Sequence, residues 1–196
     1  MLINLFGKNN PPVSLHRHLL DTGYCMRALW TSGILKSRID IISECISFNN
    51  EETISVLAYI AAMHDIGKAH PCFQVKLGDT PCKEELLSKG MVRENTEYAR
   101  FRHEIYSKEL LKDFLKKRNL SERTTKRLLS DTVALHHQSK STERQNIPNN
   151  CCPSLWEEVQ IELEKIVFNE FNPPLDRIDI KNISVFSVLL LGSMIL

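Results

Sequence analysis

Glycine is scarce in this chain, with seven among 196 residues, and none of the glycine-built phosphate or nucleophile motifs occurs. There is no Walker A loop, no G-x-S-x-G elbow and no dinucleotide fingerprint, so chemistry that depends on those turns is excluded. The six cysteines form no C-x-x-C pair, and Cys151 and Cys152 are adjacent. That arrangement suits neither a zinc knuckle nor an easy disulfide, and free thiols in a reducing cytoplasm are the simplest account. No basic-then-apolar leader opens the sequence. The most apolar stretch, Ile183 to Leu196, has 14 residues. It falls short of the roughly 20 that a membrane helix needs and reads as a buried helix. Repeats, low-complexity tracts and sustained alternation of apolar and polar residues are also missing, so strands are not expected. The expectation is a single all-α domain over residues 1–196, cytoplasmic and without a membrane segment.

Charge is distributed unevenly behind a net value of +1. Residues 100–127 hold ten Lys/Arg against four Asp/Glu, whereas residues 40–99 and 151–196 are acidic. A basic segment between acidic ones attracts a polyanion, or it is simply a pair of solvated helix faces. Both readings stay open at this level.

The apolar spacing predicts helices whose ends carry histidine. Pro11-Pro12 precedes a helix from about Leu15, which includes His18. A second follows Asn49-Asn50 and carries Ile54, Leu57, Ala58 and Ala61 on one stripe. Continuing that stripe reaches His64, Asp65 and Lys68. A third, from about Phe101 to Lys117, turns His103, Tyr106, Leu110 and Phe114 inward. A fourth begins after Ser121, a plausible N-cap, and runs through Leu129 and Val133 to His136 and His137. Ser154-x-x-Glu157 reads as a capping box for a further helix, and Pro173-Pro174 breaks the chain after it.

A single His-Asp pair is a weak signal, because a buried imidazole usually just hydrogen-bonds. Histidines on the apolar side of four helices are a stronger one. Each buried polar group left unsatisfied costs about 1–3 kcal/mol, and a shared metal centre removes that cost. The predicted ligands are His18, His64, Asp65, His103, His136 and His137, with Asp65 as the bridging and catalytic carboxylate. Mixed nitrogen and oxygen donors suit one or two manganese, iron, cobalt or nickel ions better than magnesium. Asp21, one turn beyond His18, is either an outer partner that orients an imidazole or a solvated acid. Lys68 is either a contact for phosphate oxygen or an ion-pair partner. His16 and His70 are expected not to ligate, and Phe73 is expected in the core. His103-Glu104 begins like a zincin, but Ser107 stands where a second histidine is required.

These motifs resemble the HD nuclease domain of CRISPR type I interference proteins. His18-Leu-Leu-Asp21 is similar to the family's H-x-x-D. His64-Asp-Ile-Gly-Lys68 with Pro71-Cys-Phe-Gln74 is similar to its H-D-x-G-K…P-x-F-Q segment. His103 matches the isolated third histidine, and Ala134-Leu-His136-His137 matches the paired histidines. Residues 188–196 resemble the helix that leads into an Ala-Asp-Trp motif. Two departures stand out: Gln138 replaces a frequent glycine, and the sequence stops where Ala-Asp-Trp is due. The resemblance therefore implies an HD-domain helical bundle cut before its last metal-binding aspartate and before a superfamily 2 helicase region.

The activity it implies is metal-dependent hydrolysis of single-stranded DNA, delivered by a type I CRISPR surveillance complex. Arg100 and Arg102, beside His103, are the expected backbone contacts, sequence-independent and salt-sensitive. Two rivals use much of the same sequence. One is an HD phosphohydrolase acting on nucleotides or cyclic dinucleotides. The other is a non-catalytic docking module with an incomplete metal site.

Overall fold

A computed structural model of the chain describes residues 4–34, 36–97, 100–120, 122–135 and 146–181. The helices are α1 (Leu15–Thr31), α2 (Lys36–Ile46), α3 (Asn50–Ala62), α4 (Pro71–Lys76), α5 (Lys83–Ser88), α6 (His103–Lys117), α7 (Arg123–Leu135) and α8 (Pro153–Phe171). A 3₁₀ segment, Met63–Lys68, joins α3 to α4. The fold is all-α, with one correction to the expectation of no strands. Two short strands, β1 (Phe6–Asn9) and β2 (Pro12–Ser14), form an antiparallel hairpin ahead of α1. Their run is too short, and too broken by Gly7 and the proline pair, to display alternation.

Helix α3 is the centre of the bundle. Its sequence from Ile54 to Ala62 is almost continuously apolar, and a helix apolar on all sides must be enclosed. Thr53, Ile54 and every residue from Val56 to Ala62 are buried, and α1, α2, α7 and α8 all pack on α3. The single stripe expected from the sequence is thus one side of a wholly buried helix. Its start is fixed by a capping box: Asn49 Oδ1 accepts from Glu52 N at 2.9 Å, and Glu52 Oε2 accepts from Asn49 N at 3.1 Å.

Helix α1 buries Leu15, Leu19 and Gly23, one residue per turn. A Cβ on Gly23 would meet Phe171 Cζ at 2.3 Å and the Ala58 carbonyl oxygen at 3.0 Å. This glycine is what lets α1, α3 and the end of α8 approach so closely. Helix α2 was not anticipated, although Ile39, Ile42 and Ile46 are buried at helical spacing.

The capping box expected at Ser154 is not formed. Pro153 takes the first helical position, where a missing N–H costs nothing, and Cys152 is the cap residue with φ 47° and no side-chain capping bond. Ser154 is already inside the helix. At α7 the expected cap, Ser121, lies outside the described residues. There the Glu122 carboxylate accepts from Thr124 N at 2.9 Å and from Thr125 N. The apolar stretch from Ile183 also lies outside the described residues. Among those described, no helix is long and apolar enough to cross a membrane.

Candidate metal centre

The polypeptide changes pitch at the His-Asp dipeptide. Met63–Lys68 winds as a 3₁₀ helix, in which residues three apart are superimposed. That places Lys68 directly over Asp65, with Nζ 2.6 Å from Oδ2. Asp65 is buried at 4% exposure, and three imidazoles from three different elements converge on it. His18 Nε2, from α1, lies 2.7 Å from Oδ2. His64 Nε2, from the 3₁₀ segment itself, lies 3.0 Å from the same oxygen. His103 Nε2, from the first residue of α6, lies 3.1 Å from Oδ1.

Local packing explains why each ring faces inward. His64 Nδ1 donates to the Ala61 carbonyl at 2.8 Å, which in the neutral ring leaves the Nε2 lone pair turned towards Asp65. His103 is held by the approach of α6 to the 3₁₀ segment. A Cβ on Gly67 would lie 2.1 Å from the His103 carbonyl oxygen and 2.6 Å from Ser107 N, so only glycine fits there. Gly67 N also donates to Ser107 Oγ at 2.8 Å. The Phe73 ring meets His103 edge-on at 5.3 Å and lies 5.4 Å from Lys68 Nζ. Phe73 is therefore a wall of the site, in agreement with its expected place in the core.

The donor set fits a divalent cation. The ligand atoms of His18, His64 and Asp65 all lie within 4.8 Å of one another. A buried carboxylate with two or three neutral imidazoles is a donor set for a borderline transition metal, in which hard magnesium is less at home.

The remaining site residues divide clearly. Asp21 does not join the cluster: its carboxylate is 58% exposed and pairs with Arg17 Nε at 3.5 Å. Its place on the outer side of α1 turns it towards solvent. Arg100 is exposed. Arg102 is also exposed, but its Nε donates to Glu104 Oε1 at 2.8 Å. His136 and His137 lie outside the described residues.

Glu104 is the residue that sequence reasoning missed. It is buried, and Oε2 lies 3.6 Å from His103 Nδ1. Burial opposes its charge, but its own backbone N–H, the Arg102 hydrogen bond and the nearby His103 and Arg102 charges outweigh burial and hold its pKa below the usual carboxylate value. Position 104 in a helical first turn looks like an ordinary dipole-complementing acid, so the sequence carries no separate signal for it.

His70 stays out of the cluster, as expected. It is fully buried, stacked on Phe101 at 4.0 Å, and its Nδ1 accepts from Cys72 N to cap α4. Burial, partly offset by the Asn146 backbone, lowers its pKa to about 3.

Comparison with known proteins gives this geometry a family. The backbone superposes on T. fusca Cas3 bound to AMPPNP with a TM-score of 0.75, at 18% identity over 98% of this chain. The chain spans 22% of that protein's length. A CRISPR RNA-guided surveillance complex in a pre-nicking state contains a chain matched at TM-score 0.67, 19% identity, 96% of this chain and 23% of that one. The Thermus thermophilus cas3 HD domain, solved in the presence of Ni2+, matches at TM-score 0.58 and 20% identity, over 92% of this chain and 69% of that one. At these identities the likeness is one of fold. No curated protein sequence matches the chain. The family model described as "Cas3, HD domain" matches residues 6–196, so the chain belongs to the Cas3 HD-domain family.

Proposed function

We propose that this chain is the nuclease module of a type I CRISPR interference system and hydrolyses phosphodiester bonds of single-stranded DNA. The observation that carries the reading is the convergence of His18, His64 and His103 on buried Asp65. When bound, one or two divalent cations supply Lewis acidity towards water and the phosphodiester. Manganese, iron, cobalt or nickel suits the donors best, with His136 and His137 completing the set.

The chain's own residues do the rest. Asp65 would bring the negative charge that retains a cation, and it is the carboxylate that two cations would share. His64 is kept in a fixed orientation by the Ala61 carbonyl. Lys68 forms the ion pair with Asp65 that was the alternative to a phosphate contact, and in this reading it would turn to a non-bridging phosphate oxygen only when DNA is bound. Arg100 and Arg102, with the basic segment 100–127, would steer the DNA backbone, Arg102 through the guanidinium nitrogens that remain beside its Nε bond to Glu104. The proposed partners are the surveillance complex and a superfamily 2 helicase region in the same or a partner chain, and the proposed compartment is the cytoplasm.

The test is incubation of the purified chain with circular single-stranded DNA in Mn2+ or Ni2+, with metal content measured in parallel. Nicking that disappears in Asp65→Asn is the expected result. Turnover of nucleotides or cyclic dinucleotides with intact DNA would replace the nuclease by a small-molecule phosphohydrolase. Less than one metal per chain, with no activity on any substrate, would leave a docking module.

A further inference from the structure

We infer that strand β1 positions the His18 imidazole, with Gly7 as the contact and Gln74 as the anchor of the strand. The inference rests on the metal-binding reading above. His18 is the most exposed of the three imidazoles, its side chain 29% accessible, and it reaches Asp65 from α1. A partly exposed imidazole has more than one rotamer open to it, so something must select the one that points at Asp65. The strand supplies the wall. A Cβ on Gly7 would stand 3.0 Å from His18 Cβ and 3.2 Å from both Cγ and Cδ2, so β1 runs close beside the His18 side chain and leaves no room for a side chain of its own there.

The strand is not held there by its partner alone. Gln74, 3% exposed, accepts from Phe6 N at 3.2 Å and donates from Nε2 to Phe6 O at 2.9 Å. The same Nε2 donates to Lys68 O at 2.9 Å. One buried amide thus ties the residue before Gly7 to the end of the segment that carries His64, Asp65 and Lys68. The strand on His18 and the carboxylate that His18 must reach are fixed to each other through Gln74. Gly7 and Gln74 are positioning residues and touch no reacting group.

The test uses Gly7→Ala and Gln74→Leu in the full chain, with Asn9→Ala as control. Asn9 bonds Leu77 O at the hairpin tip, so its loss loosens the hairpin away from the ring. Titration calorimetry with Mn2+ should show affinity about 10-fold weaker in Gly7→Ala and in Gln74→Leu, the scale of losing an outer support of a ligand, and unchanged in Asn9→Ala. In a His18→Ala background Gly7→Ala should add no further loss. In metal-free protein, NMR resonances of the His18 ring should move in Gly7→Ala while those of His64 and His103 stay.

Unchanged affinity together with unmoved His18 resonances overturns the inference. So does a loss that persists without His18, because the strand would then act through general packing. A wild-type chain that binds no Mn2+ refutes the metal-binding reading instead. The metal-free resonances still decide whether β1 positions the ring.

Discussion

Asp65 and Glu164 are equally buried carboxylates, each at 5% side-chain exposure, yet their surroundings differ in kind. Glu164 faces one permanent cation. Arg118 grips it with two bonds, Nε to Oε1 at 3.1 Å and Nη2 to Oε2 at 2.9 Å, and lies 3.5 Å above the Phe168 ring. Tyr59 completes the group by donating to Oε1 at 3.0 Å. Burial and then the Glu164 charge push the Tyr59 phenol well above its ordinary pKa, so it remains a donor. Asp65 instead faces three imidazoles and the Lys68 ammonium. Imidazoles are weak charge partners when neutral but good donors to a cation. The first arrangement closes a charge inside the bundle and ties α3 to α8. The second keeps donors assembled around a charge.

The contrast predicts that the two carboxylates respond differently to substitution. Asp65→Asn keeps the shape and removes the charge proposed to retain a cation. Activity should fall by at least about 10³-fold, roughly 4 kcal/mol of transition-state stabilisation, while the melting temperature of the metal-free chain falls less than in a variant of the Glu164 pair, because the flexible Lys68 stem lets the ammonium that loses its partner turn to solvent. Cleavage assays and calorimetry read both quantities. A strongly lowered melting temperature would put Asp65 in the same class as Glu164.

Arg118→Ala should do the opposite. It strands a buried carboxylate, at a cost of about 3 kcal/mol. Denaturant titration measures the loss, and Mn2+ affinity should hold at concentrations where the variant is folded. Weakened metal binding in folded Arg118→Ala would mean that the two clusters are coupled.

His70 extends the comparison to a buried base. Its pKa is about 3 in the folded chain against 6.5 for the free side chain. The folded state keeps the ring neutral while the unfolded state takes up a proton, so stability is full above pH 6.5 and is lost as pH falls towards 3. By pH 5 the loss is about 2 kcal/mol. Denaturation of His70→Gln across the same range should show a flatter slope, and an equal slope would assign the acid sensitivity to other groups.

These clusters were unequally legible in the sequence. His18, His64, Asp65 and His103 announce themselves because each extends an apolar stripe, which is a property of a single segment. The register of Lys68 over Asp65 was also readable, since three residues keep a common side in an α-helix and coincide in the 3₁₀ turn that forms. Glu164 and Arg118 were unreadable because 46 residues separate them and neither breaks a local pattern. The hairpin failed for a related reason: its order comes from Gln74, 68 residues away, rather than from its own alternation. Ser154 misled because one proline shifts the helix start by two residues, and composition alone does not report that shift.

Asp21 is the finest test, because its position relative to His18 admits a role that its surroundings do not support. Three residues along α1 is close enough for a carboxylate to orient an imidazole. Asp21 is nonetheless mostly exposed and its ion pair is with Arg17, one turn back. An exposed pair of this spacing contributes about 0.3–0.5 kcal/mol and is screened by salt. Asp21→Asn should therefore lower stability by no more than that amount, and high salt should erase the difference. Mn2+ affinity should match wild type, because the support for His18 comes from the opposite side, through Gly7. Should Asp21→Asn instead weaken Mn2+ binding about 10-fold, the imidazole is held from its solvent side by a carboxylate, and the wall formed by β1 is secondary.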